Sequence, residues 1–193
     1  MNRAALTARP RTLSCADAPV LVCLNLQQEH LDPHADIYIP QAREALPRIR
    51  RCIDWARATR LTVAHVLTER PDASGRTSLS PPIKGFTPLA REPVVIKRTI
   101  SLFEERELAK SDELSPFRQA FLVGFSLAHD CAAAALTASS RGAELVLIAD
   151  ATASPALPPF SGACVDHVMQ AVLSPILPIV MTDDLVTRGL LAL

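Results

Sequence analysis

Four residues of this chain carry reactive groups where apolar runs end. Asn25 closes the run that begins at Pro19, Lys97 closes Val94-Val-Ile, and Asp130 and Cys131 follow Phe121-Leu-Val-Gly-Phe. An amide, an ammonium, a carboxylate and a thiol held together would suit acid–base work, or attack on a carbonyl by the thiolate. An amide takes up no proton, so Asn25 is no general base. Asp130, or the adjacent His129, would have to serve.

The elements needed to gather these groups are legible in the pattern. Strands are expected at Val20–Leu26, Leu61–Leu67, Val94–Lys97, Ala120–Phe125, Ala143–Ala149 and Ile179–Met181. Helices are expected at Pro40–Thr59, Leu102–Lys110, Leu127–Arg141, Gly162–Leu173 and Asp183–Leu191, with Gly142 as a C-cap. A Pro-, Ser- and Gly-rich loop spans Thr68–Glu92. Most strands are continuous apolar runs, which implies that both sheet faces are covered. The expected fold is therefore α/β: a three-layer α/β/α Rossmann-like sandwich with a mostly parallel six-stranded sheet. In such sheets ligands bind beyond the carboxyl ends of the strands. Asn25, Lys97 and Asp130 all fall there.

Composition narrows the function classes. The chain has 193 residues, 49% of them apolar, with 20 basic and 20 acidic side chains. That size suits one domain, read here as 19–193 behind a flexible tail over 1–18. A balanced charge argues against nucleic acid as a partner. No apolar run reaches the roughly 20 residues that span a bilayer, so no membrane role is expected. The five cysteines, Cys15, Cys23, Cys52, Cys131 and Cys164, lack C-x-x-C spacing. Neither a disulfide framework nor a structural zinc site follows, and a cytoplasmic location is the default. The histidines, His30, His34, His65, His129 and His167, show no metal-binding spacing. No cofactor is expected.

The motifs, in order, resemble those of the isochorismatase-like, or cysteine hydrolase, superfamily. Val22-Cys-Leu-Asn-Leu-Gln27 is similar to its first-strand motif, with Asn25 where that motif has aspartate. Gly85-Phe-Thr-Pro88, Glu92, Val94, Lys97, Ser101 and Phe103 follow its middle region. Gly124, Asp130 six residues on, and Gly142 twelve further repeat its Gly–Cys–Gly spacing, with Asp130 at the cysteine. Asp150-Ala151 and Thr182-Asp-Asp-Leu185 match its closing motifs. The resemblance implies an Asp–Lys–Cys triad in which the aspartate takes the thiol proton, the lysine stabilises charge and the thiolate attacks an amide. Family isochorismatases lack the cysteine and cleave a vinyl ether with the aspartate and lysine. Only Lys97 carries over unchanged. Nicotinamidases of the family hold a metal after the second strand, where Thr68-Glu-Arg-Pro-Asp72 here supplies no histidine. The resemblance also implies a homodimer or homotetramer.

The candidate catalytic set is thus Lys97, Asp130, Asn25 and Cys131, around a small-molecule ligand. Cys131 has two readings: a nucleophile displaced by one residue, or a helix cysteine packed among Ala132–Ala135. Asp130 is either a pocket carboxylate facing Lys97 or a helix N-terminal residue stabilised by free amides. Phe86, Phe103 and Phe160 are candidate pocket walls, with core packing as the alternative. His129 either reaches the pocket or is satisfied in its loop. Two functions follow: a hydrolase of amide or vinyl-ether type, or a catalytically inactive binding protein whose slots read Asn, Lys and Asp.

Overall fold

A computed structural model describes residues 19–71, 75–102 and 119–188. Within them the strands are β1 (Val20–Leu24), β2 (Thr62–Pro71), β3 (Thr77–Leu79), β4 (Val94–Lys97), β5 (Gln119–Phe125), β6 (Glu144–Ala153) and β7 (Ile179–Val180). The helices are α1 (Ala42–Ala58), α2 (Ala132–Arg141), α3 (Gly162–Leu173) and α4 (Thr182–Arg188). The helix expected at Leu102–Lys110 lies, beyond Leu102, outside the described residues, as do Phe103, Cys15 and the N-terminal 1–18.

One mixed sheet runs β3-β2-β1-β5-β6-β7, with β4 also paired to β2. Every pairing is parallel except β2–β3. The described sheet has seven strands, one more than the sequence pattern predicts. The extra strand, β3, lies in the segment read as loop. Its three residues are exposed and follow no apolar pattern; they pair with Glu69–Pro71 at the far end of β2.

The strands sort their side chains onto two cores. From β1, Leu21 and Cys23 face α1 and α4, packing with Ile49, Ile53 and Leu185. Val20, Val22 and Leu24 face α2 and α3, packing with Ala134, Ala138 and Leu173. Successive residues of a strand point to opposite faces, so a strand buried on both sides must be apolar throughout, as β1 is. On the first face Trp55 meets the edge of Phe121, ring centroids 5.8 Å apart. Among the described residues no helix is long and apolar enough to cross a membrane.

Two local features aim the site. At Gly124 (φ +110) β5 passes so close to β1 that a Cβ there would overlap the Leu24 carbonyl. A β-bulge then breaks the β5–β6 register between Leu122 and Gly124. Directly after β6 comes Ser154, whose hydroxyl accepts the Ala128 N–H at 2.9 Å. That bond ties β6 to the turn carrying Asp130.

Candidate active site

The carboxyl ends of the strands enclose a cavity of about 410 Å³. Lys97, Asp130, His129, Ser126, Thr68, Arg70 and His30 are on its wall. A second cavity, of about 360 Å³, lies at the opposite end, where β2 begins, among Arg57, Arg60, Arg91 and Glu92.

Lys97 ends β4 and is fully buried. Its Nζ lies 2.5 Å from Asp130 Oδ1, 3.0 Å from the Thr99 carbonyl and 3.3 Å from the Ile100 carbonyl. An ammonium has three N–H donors, and all three are engaged. Burial demands such pairing, because a lone charge away from water is costly. The chain after β4 thus wraps around its own lysine, which in turn holds Asp130 from the other crossover.

Asp130 and Cys131 sit in a π-turn, Leu127–Cys131, that opens α2. The turn closes with the Cys131 N–H on the Ser126 carbonyl at 3.0 Å, so it does carry one more residue than an α-turn. The Phe125–Ser126 peptide before it is cis. Asp130 joins the cavity wall. Cys131 does not: it is fully buried with Leu127, Ala134, Ala135 and Ala138. Those residues form the apolar stripe of the helix, and Cys131 occupies a place on it. Burial pushes its thiol up, and Asp130 beside it adds to the shift. Of its two readings, the packed helix cysteine is the one this burial matches.

Asn25 lies one residue past β1 at φ +49, a left-handed conformation that asparagine tolerates. It is fully buried and is not on the cavity wall. Its Oδ1 accepts the Thr68 hydroxyl at 2.6 Å, and Thr68 is the wall residue above it. Its Nδ2 is buried with no partner among the described residues. Gln27 fixes the same corner: it donates to the Thr68 and Ser80 carbonyls and accepts the Thr68 N–H, at 3.0, 3.0 and 2.8 Å.

His129 is exposed on the wall, its Nδ1 2.9 Å from the Ser126 hydroxyl. Phe86 is elsewhere: it packs in the core, with the Arg50 guanidinium 4.4 Å over its ring. Phe160 is exposed and off the cavity wall. Neither ring forms the pocket wall that the sequence offers. The loop after Ser80 turns inward, its Ile83 N–H bonded to the Leu26 carbonyl, and carries Phe86 into the core. Two other motif residues are structural. Asp150 accepts the Thr182 N–H and hydroxyl, both at 2.8 Å, and so starts α4. Glu92 accepts from Arg57 Nε and Nη2 and faces His65.

His30 and Arg70 are wall residues that the sequence reading did not single out. Arg70 is paired with Glu29. His30, in the short 3-10 turn after β1, is 2% exposed. It sits five residues past Asn25, and that proximity to a strand end is the one signal that could have found it.

The comparisons with known proteins agree with this fold. A family model for the isochorismatase domain matches residues 19–171. A cysteine hydrolase from Pseudomonas syringae pv. phaseolicola 1448A superposes with a TM-score of 0.80 at 14% identity, over 92% of this chain and 95% of that one. An isochorismatase from Pseudomonas putida KT2440 gives 0.74 at 22%, over 88% and 90%. An N-carbamoylsarcosine amidase from Thermoplasma acidophilum gives 0.67 at 21%, over 86% and 97%. No curated protein matches the chain. At these identities the structures show a shared fold, and the family model, which spans most of the sequence, shows more: the chain belongs to the isochorismatase family of hydrolases.

Proposed function

We propose that the protein hydrolyses a small amide or vinyl-ether substrate without a thiol intermediate. The observation behind this is the Lys97–Asp130 pair, 2.5 Å apart on the cavity wall, with Cys131 buried behind it. Lys97 holds Asp130 through Oδ1, which leaves Oδ2 as the base. For an amide, Oδ2 takes a proton from water as the oxygen adds to the carbonyl carbon. The proton then passes to the departing nitrogen as the C–N bond breaks, giving an acid and an amine. Asn25 acts at one remove by fixing the Thr68 hydroxyl. The test is turnover of a panel of primary amides, ureido acids and vinyl ethers. Asp130→Asn, which still accepts from Lys97, should abolish activity, and Cys131→Ala should keep it. Activity that depends on Cys131 would overturn the mechanism.

A second reading, a binding protein without turnover, is favoured by one observation. All three Lys97 donors are engaged, so none is left for a developing negative charge. Saturable binding by a wild-type protein that turns over none of the panel would select it.

A further inference from the structure

His30 is the one residue of the cavity wall whose buried side chain keeps a nitrogen without a partner among the described residues. Its Nδ1 lies 3.0 Å from the Ile37 carbonyl. A carbonyl only accepts, so Nδ1 carries the hydrogen and Nε2 carries the lone pair. The ring is held in place by the edge of Phe125, centroids 5.6 Å apart at 61°. Burial pushes the imidazole down to about 4, against the pull of the Ile37 bond. Arg70 and Lys97 nearby act in the same direction as burial, and Asp130 acts against it. At neutral pH the ring is therefore uncharged and Nε2 is an acceptor. No described residue supplies a hydrogen to Nε2, so a group that meets it there must bring one.

We propose that His30 Nε2 is a specificity-determining acceptor of the cavity, binding an N–H or O–H of the substrate and rejecting analogues that lack one. This rests on the cavity being the substrate site. Asp130 would then act on the reacting carbon while His30, on the loop after β1, fixes the donor end. The selection is against molecules of similar shape that would leave the lone pair buried and unmet.

Acetamide, benzamide and nicotinamide, each paired with its N,N-dimethyl form, are the probes. In the wild-type protein, labelled at its histidines, the Nε2 resonance of His30 should move from the free-acceptor position when a primary amide is added. The primary amides should bind about tenfold more tightly than their dimethyl forms. His30→Phe, which keeps a ring against Phe125, should bind both forms alike. If the amides move resonances of the Lys97–Asp130 pair but not of His30, the cavity reading stands and this proposal fails. If His30→Phe keeps the full preference, it also fails. If no amide reaches either group, the cavity is not a site for this class and both fall together. The resonance measurement needs no variant, so a poorly folded His30→Phe would not shelter the proposal.

Discussion

Asp130 and Cys131 are consecutive residues that face opposite ways: the carboxylate is on the cavity wall, and the thiol is in the core between α2 and the sheet. Successive residues of a helical turn leave its axis in different directions, and in this π-turn that puts one on each side. A shift of one position therefore changes a residue's whole environment.

Alkylation should report that difference directly. With iodoacetamide at neutral pH, the native protein should be modified at exposed Cys164 and spared at Cys23, Cys52 and Cys131. Peptide mapping by mass spectrometry reads the outcome. Prompt labelling of Cys131 would place its thiol at the cavity after all.

The Lys97–Asp130 pair should be strongly coupled in stability. Lys97→Met or Asp130→Leu alone leaves a buried charge unmatched and should cost about 3 kcal/mol. The double variant should recover much of that loss, because neither charge remains. Urea unfolding of the four proteins gives the coupling, and simple additivity of the two losses would rule the pair out as a unit.

Two glycines separate steric need from conformational need. Gly124→Ala drives a methyl into the Leu24 carbonyl and should cost about 3 kcal/mol or more. Gly142 has φ +68 and open space around its Cβ position, so Gly142→Ala should cost only about 1 kcal/mol. Equal losses in thermal unfolding would contradict this ordering.

Acid should unlock the far end of the sheet. Burial alone would raise Glu92, but Arg57, the Leu89 N–H and His65 outweigh it and bring its carboxyl from 4.5 down to about 2. The folded value lies below the unfolded one. This stabilisation is therefore complete above about pH 4.5 and is lost as pH falls toward 2. His65 is also held below its ordinary value, by burial that outweighs Glu92, and it weakens the fold in the same direction. Glu92→Gln should cost about 2 kcal/mol at neutral pH. Its deficit should shrink as the pH drops to 3; a constant deficit would show that Glu92 is not the titrating group.

The legible part of this structure is the part set by burial. β1, β5 and α1 follow from apolar runs and helical spacing that the solvent enforces. Lys97 and Asp130, both expected at strand ends, do lie on the wall of one cavity. What escaped was set by directions rather than by polarity. The stripe Leu127, Cys131, Ala134, Ala138 was available in the sequence, yet a turn of uncertain pitch hid which neighbour faced in. β3 has three exposed residues and is defined by its partner alone. Phe86 sits in a loop, where no periodicity tells core from cavity. His30 acquires its character from Ile37, Phe125 and burial, none of which a lone histidine advertises.

Trp55 is the sole tryptophan, and it leans on Phe121 at the face covered by α1. Intrinsic emission therefore watches one layer of the sandwich, and Trp55 is not on the wall of the cavity that holds Lys97 and Asp130. A ligand entering among Lys97, Asp130 and His30 should leave that signal quiet, while detachment of α1 should change it at once. The molecule thus carries its own unfolding probe, one that keeps loss of the fold distinct from occupancy of the site.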